Sequence, residues 1–217
     1  MFIFKMTSRI SVLRKIFAFG LVLSFASLSF AQKNDKAAFN EVCQTIATHK
    51  ITKGDFKQTK MIKKIKREIK SSGTFIVSVD DGILWNTQKP FASSMAITQS
   101  GIIQTSAQGK KSVVASGGNA TFEQVSSLMA SLFDGNIDAL SANFEIEFIG
   151  SKENWNVNLT PKDSSVKGFI ANIEMAGRSS IDTMVLHEPS GDFTKYEFQN
   201  QVFPKALSEE EKALFKS

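Results

Sequence analysis

The chain of 217 residues holds one cysteine, one tyrosine, two tryptophans, two histidines and four prolines, and each scarcity removes a class of explanation. A lone Cys43 can form no internal disulfide, so in an oxidising compartment the fold must be held by burial and strand pairing. Its place among apolar residues at helical period predicts a buried, inert thiol. His49 and His187, with that one cysteine, lack the ligand spacing of a usual metal site. The chain carries no Gly-x-Ser-x-Gly, no P-loop and no Gly-x-Gly-x-x-Gly. Its acidic clusters fall in a predicted turn, Asp80-Asp81, and a predicted helix cap, Glu209 to Glu211, rather than in an acid–base arrangement. We therefore expect no enzyme, no metal and no cofactor.

Acidic residues are also missing from residues 1–31, which carry Lys5, Arg9, Arg14 and Lys15 ahead of an unbroken apolar and small run from Ile16 to Phe30. That is the n-region and h-region of a signal peptide. The run is short for a spanning helix of about 20 residues. Ser29 and Ala31 supply the small side chains that a signal peptidase needs, so cleavage is expected after Ala31, with no cysteine at the new terminus to take a lipid. Cleavage takes those four cations from a formal net charge of +5, leaving about +1. The basic balance is thus mostly a targeting feature, and no nucleic-acid partner is expected. The remaining residues, 32–217, suffice for one domain with a substantial core.

What is abundant is phenylalanine, 19 residues of it. A Phe-rich interior suits either a dry core or a wall that meets hydrocarbon. From Asp35 to Thr48, Phe39, Val42, Cys43 and Ile46 mark one face of a helix, which Gly54 is expected to close. From Asp55 to Ile103 the pattern is strand-like, divided by turn signals at Ser72-Gly73, Asp81-Gly82, Lys89-Pro90 and Ser100-Gly101. The basic run Lys60 to Lys70 fits either period; we read it as strand, with its charges a solvated face or a landing patch for an acidic partner or anionic lipid. Thr121 to Gln124 form a capping box for a helix over 121–133, whose stripe of Phe122, Val125, Leu128, Met129, Leu132 and Phe133 suits a core helix or a lid. Beyond it, Phe144, Ile146, Phe148, then Trp155, Val157, Leu159, then Phe169, Ala171, Ile173, Met175, and later Tyr196 and Phe198 alternate with polar residues, as in an antiparallel meander with one wet face. Ser208 to Glu211 predict a capped terminal helix.

Phe56 and Gln58 in "GDFKQTK", the Gly-centred "SSGTFIV" (71–77), the Trp-then-Pro segment "GILWNTQKPF" (82–91) and "MAITQSGI" (95–102) together resemble the LolA-type outer-membrane lipoprotein carriers, in their divergent LolA-like branch. The order of helix, strands, helix and strands extends the likeness over most of the mature chain. The resemblance implies an α+β fold: an unclosed antiparallel β-barrel, or half-barrel, with helices covering its concave apolar face. It also implies a monomeric periplasmic carrier of acyl chains, with a lipoprotein or other lipid as cargo, an inner-membrane transporter and an outer-membrane acceptor as partners, and transient membrane contact. Main-branch carriers place an Arg-Pro before the Trp-bearing strand, where this chain has Asp80-Asp81-Gly82, and that shifts the expected cargo toward another acylated lipid. Candidate lipid-binding residues are Phe56, Phe75, Val77, Trp85, Phe91 and Ile97, with Leu128, Met129, Leu132 and Phe133 from the predicted helix. A non-transport envelope scaffold or sensor of the same fold is the alternative.

Overall fold

A computed structural model describes residues 26–98, 101–115, 131 and 137–216. The predicted signal peptide lies almost wholly outside these residues. So do Ser100 and the expected helix over 121–133, with Leu128, Met129, Leu132 and Phe133. The first element, α1 (Ala26–Ala47), runs through the expected cleavage position. Its predicted face is the buried one: Phe39, Val42, Cys43 and Ile46 are all sealed from solvent.

Eleven strands follow: β1 (Ile51–Ile62), β2 (Arg67–Ser78), β3 (Gly82–Lys89), β4 (Ser93–Thr98), β5 (Gly101–Thr105), β6 (Lys111–Ala115), β7 (Phe144–Ser151), β8 (Asn154–Pro161), β9 (Asn172–Gly177), β10 (Ile181–His187) and β11 (Phe193–Val202). They form one antiparallel sheet in the order β6-β5-β4-β3-β2-β1-β11-β10-β9-β8-β7. The edges β6 and β7 do not pair, so the sheet is an unclosed barrel. Among the described residues there are also three short helices: α2 (Ile137–Asn143), α3 (Ser164–Lys167) and α4 (Glu209–Ala213). The predicted terminal cap is present, Ser208 and Glu211 making the reciprocal capping box at the start of α4.

Register assigns the faces, because side chains alternate across a strand. Phe56 (β1), Phe75 and Val77 (β2), Ile83 and Trp85 (β3), Met184 (β10), Met175 (β9) and Val157 (β8) all join one cluster with the α1 residues, and Phe39 meets Phe148 of β7 at 5.3 Å. This is the concave face, partly covered by α1, α2 and the Val166 and Ile170 side chains of the α3 region. The convex face is apolar too. Ile51, Ile76, Leu84, Ala96 and Ile103 form a second core beneath Leu207 and Phe215 of the tail. Strands β2 and β3 are therefore covered on both faces, which explains the near-continuous apolar runs "FIV" and "ILW".

Four local expectations are corrected. Gly54 does not end the helix, which stops at Ala47; it lies inside β1, where an added Cβ would stand 2.7 Å from the Gln199 carbonyl oxygen. Ser72-Gly73 is not a turn but part of β2, where Gly73 lets the backbone of Asn86 approach: a Cβ there would sit 1.9 Å from the Asn86 carbonyl oxygen. The Lys60 to Lys70 run is no single strand. It is the end of β1, a 3-10 turn at Lys63–Ile65 closed by left-handed Lys66, and the start of β2. Phe169 stands outside the strand pattern and is exposed, while Ile170 takes the buried place at the end of the α3 turn.

Candidate functional site

Among the described residues, the helices leave part of the concave face bare. There the described residues enclose a cavity of about 880 Å³, near the upper end of the roughly 300–1,000 Å³ typical of ligand sites. Its floor is apolar and assembled from four strands: Ile83 and Trp85 (β3), Met95 and Ile97 (β4), Met184 and Leu186 (β10) and Tyr196 (β11). Pairing explains the assembly, since Ile83 opposes Ile97, Trp85 opposes Met95 and Met184 opposes Tyr196.

The remaining wall is polar. Gln58, Thr87, Ser93, Ser94 and Gln104 lie on the strands, and Thr105, Ser106, Lys110 and Ser112 surround the β5–β6 turn. Most of these belong to the end of the strands where β1 runs into β2, β3 into β4 and β5 into β6. The cavity is thus graded from an apolar floor to a hydroxyl-rich, weakly cationic end. Burial pushes the Tyr196 phenol up to about 12, so at neutral pH it meets an occupant as a neutral hydroxyl on an aromatic ring. Among the described residues no group of His, Cys, Asp and Glu could hold a metal.

The predicted site residues divide three ways. Trp85 and Ile97 line the cavity. Phe56, Phe75 and Val77 face the same concave side but are packed into the core beneath it, Phe56 meeting Trp85 at 4.8 Å. Phe91 stands in the β3–β4 connection, 80% exposed and outside the cavity wall. Leu128, Met129, Leu132 and Phe133 lie outside the described residues. Sequence reasoning did not select Met95, Met184, Leu186 or Tyr196; only the register of β10 against β11 brings Met184 beside Tyr196.

A family model described as "Outer membrane lipoprotein carrier protein LolA" matches residues 47–216. No protein of curated function matches the chain. Among solved structures, an outer membrane lipoprotein-sorting protein domain from Vibrio parahaemolyticus is 11% identical at a TM-score of 0.43, covering 82% of this chain and 98% of that one. The MucA/MucB complex of Pseudomonas aeruginosa is 10% identical at a TM-score of 0.46, over 82% of this chain and 60% of that one. A LolA superfamily protein from Nitrosomonas europaea is 7% identical at a TM-score of 0.42, covering 78% and 94%.

Proposed function

This chain belongs to the family of LolA outer membrane lipoprotein carriers, and from that premise we propose that it is a periplasmic carrier that shelters the acyl chains of a lipoprotein or another lipid between the inner and outer membranes. The observation that carries this reading is the part of the concave face that no described helix covers, where an apolar floor of seven residues bounds a cavity of about 880 Å³. Each methylene left in water costs about 0.8 kcal/mol, so a long acyl chain crosses an aqueous gap at a useful rate only if a protein supplies a matching surface. A wall of short hydroxyls, Gln58 and Gln104 suits the polar junction between acyl chains and whatever they are attached to, without a strong anchor that would oppose release.

Delivery would require a transporter at the inner membrane and an acceptor at the outer one, with export directed by residues 1–31. Asp80 and Asp81 occupy the β2–β3 turn, where the Ser78 hydroxyl donates to the Asp81 carboxylate at 2.7 Å. That turn is built from side-chain hydrogen bonds of its own, which supports a cargo and release mechanism distinct from those of carriers with Arg-Pro there.

The test is native mass spectrometry of the processed protein purified from an envelope extract, with identification of what denaturation releases. Stoichiometric acyl-bearing cargo, lost in Met95→Asp and Ile97→Asp variants that keep the wild-type circular dichroism, is the expected result. A ligand-free protein that also refuses fatty-acid probes would move the assignment to a scaffold or sensor.

A further inference from the structure

On the β3 side the β1–β2 hairpin reaches beyond its neighbour, while on the other side β11 stays paired with β1 as far as Met61. β3 pairs with β2 only from Ser72 onward, so residues 67–71 and the turn before them extend past it by about 17 Å at strand rise. Every residue from 63 to 70 is exposed. At the tip the 3-10 turn presents Ile65, 59% exposed, and Ile69 follows at 43%. An exposed isoleucine at the point of a narrow ribbon gains nothing from the fold that displays it.

The hairpin's own charge is one-sided, while from the β10–β11 turn beside it Asp192 accepts a hydrogen bond from the Lys63 backbone N–H at 2.9 Å. Lys63, Lys64, Lys66, Arg67 and Lys70 surround the tip, and Glu68 is the single acid among them. Lys70 is paired with Glu68 at 3.3 Å, and Lys60, lower on the ribbon, with Glu188 at 3.2 Å. Lys64, Lys66 and Arg67 make no ion pair among the described residues. Both faces of the ribbon carry cations, since Arg67 falls on the side of Ile69 while Lys70 falls on the other. A folded acidic partner would need a flat side to bury, which such a ribbon does not offer. A plane of anionic headgroups met end-on accepts charge from all around an apolar point.

The same end of the sheet carries the β3–β4 connection with exposed Phe91 and the polar wall of the cavity. We propose that the β1–β2 tip is a membrane-docking element, which sets Ile65 at the boundary of an anionic bilayer with the surrounding cations on its headgroups, and so holds the polar end of the cavity toward the lipid surface. The proposal rests on the tip and not on what fills the cavity.

It is tested by co-flotation of the processed chain beginning at Gln32 with vesicles of phosphatidylcholine alone or with 30 mol% phosphatidylglycerol, at low and high salt. Wild type should float with the anionic vesicles only, and less at high salt. A Lys64→Glu/Lys66→Glu/Arg67→Glu variant should lose at least about 100-fold in partition, and Ile65→Asp should weaken flotation, both with unchanged thermal melting and fatty-acid probe uptake. Absence of flotation, equal flotation with neutral vesicles, or flotation that charge reversal leaves intact overturns the proposal; the first result would leave the tip to an acidic protein surface.

Discussion

Trp85 of β3 and Tyr196 of β11 meet edge to face with ring centroids 5.3 Å apart. Two strands, β2 and β1, separate them in the sheet, and in a flat sheet three strand spacings of about 4.8 Å would hold them roughly 14 Å apart. The contact therefore measures how tightly the sheet curls. The curl is made possible by absence: Gly54 and Gly73 are the inner-face residues of β1 and β2 that would otherwise crowd this bend. Gly54 leaves room for the Phe75 ring and Gly73 for the β3 backbone, with Phe75 at 5.1 Å from Phe198 and 6.0 Å from Trp85. The aromatic cluster is the support on which the cavity floor rests.

Gly73→Ala should therefore be costly. Its Cβ would fall 1.9 Å from the Asn86 carbonyl oxygen, a backbone atom that cannot swing aside. A loss of about 2–3 kcal/mol is expected, read as a fall of roughly 5–10 °C in Tm for a chain of this size. A variant that melts with the wild type would show that β2 and β3 part easily there.

The two tryptophans are placed to report different events. Trp85 lines the cavity, whereas Trp155 is sealed in the core with its indole N–H donating to the Arg178 carbonyl at 2.7 Å. Binding of an acyl probe should shift the fluorescence of the wild type and of Trp155→Phe, and leave that of Trp85→Phe unchanged. A response that survives in Trp85→Phe would place the ligand elsewhere.

The convex face is closed by a latch whose strength depends on pH. Glu211 accepts a hydrogen bond from Lys53 and caps the Ser208 backbone N–H, and both interactions hold its carboxyl below the ordinary 4.5. A depressed carboxylate contributes stability that is fully present above its unfolded value and lost as pH falls through the folded one. Wild type should thus be more stable than Glu211→Gln at neutral pH, with the gap closing only below about 4.5. Denaturant unfolding of both proteins at pH 7 and pH 3 measures it; a gap that stays constant would mean the carboxylate charge contributes nothing.

Cys43 has no exposed surface, and burial pushes its thiol up to about 12. Because the thiolate is the nucleophile, Ellman's reagent should leave the native protein untouched at pH 8 and titrate one thiol after denaturation. Rapid labelling of the folded chain would mean that α1 lifts from the sheet.

Strands with strict alternation were legible residue by residue. Phe144, Phe148, Trp155, Val157, Leu159, Ile173 and Met175 are buried as their period requires, because one wet and one dry face leave little choice of register. The capping box at Ser208 was equally legible, since its four residues contain the whole interaction. The β1–β2 hairpin was not. Its turn is made by Lys63, Lys64, Ile65 and Lys66, none of them a turn former, while Gly73, which reads as a turn signal, serves a close approach between strands.

Composition and period by themselves settled that the chain builds a half-wet antiparallel sheet with an apolar helix to lay on it, because alternation and helical spacing are properties of a segment alone. Which apolar residues pack and which line a cavity was decided only by the tertiary structure. Phe75 and Ile97 carry the same sequence signal, yet one is packed within the aromatic cluster at the bend and the other lies on the cavity floor. The difference comes from which strands the curl of the sheet brings over each residue, Trp85 and Phe198 meeting at Phe75, and no local pattern contains that distance.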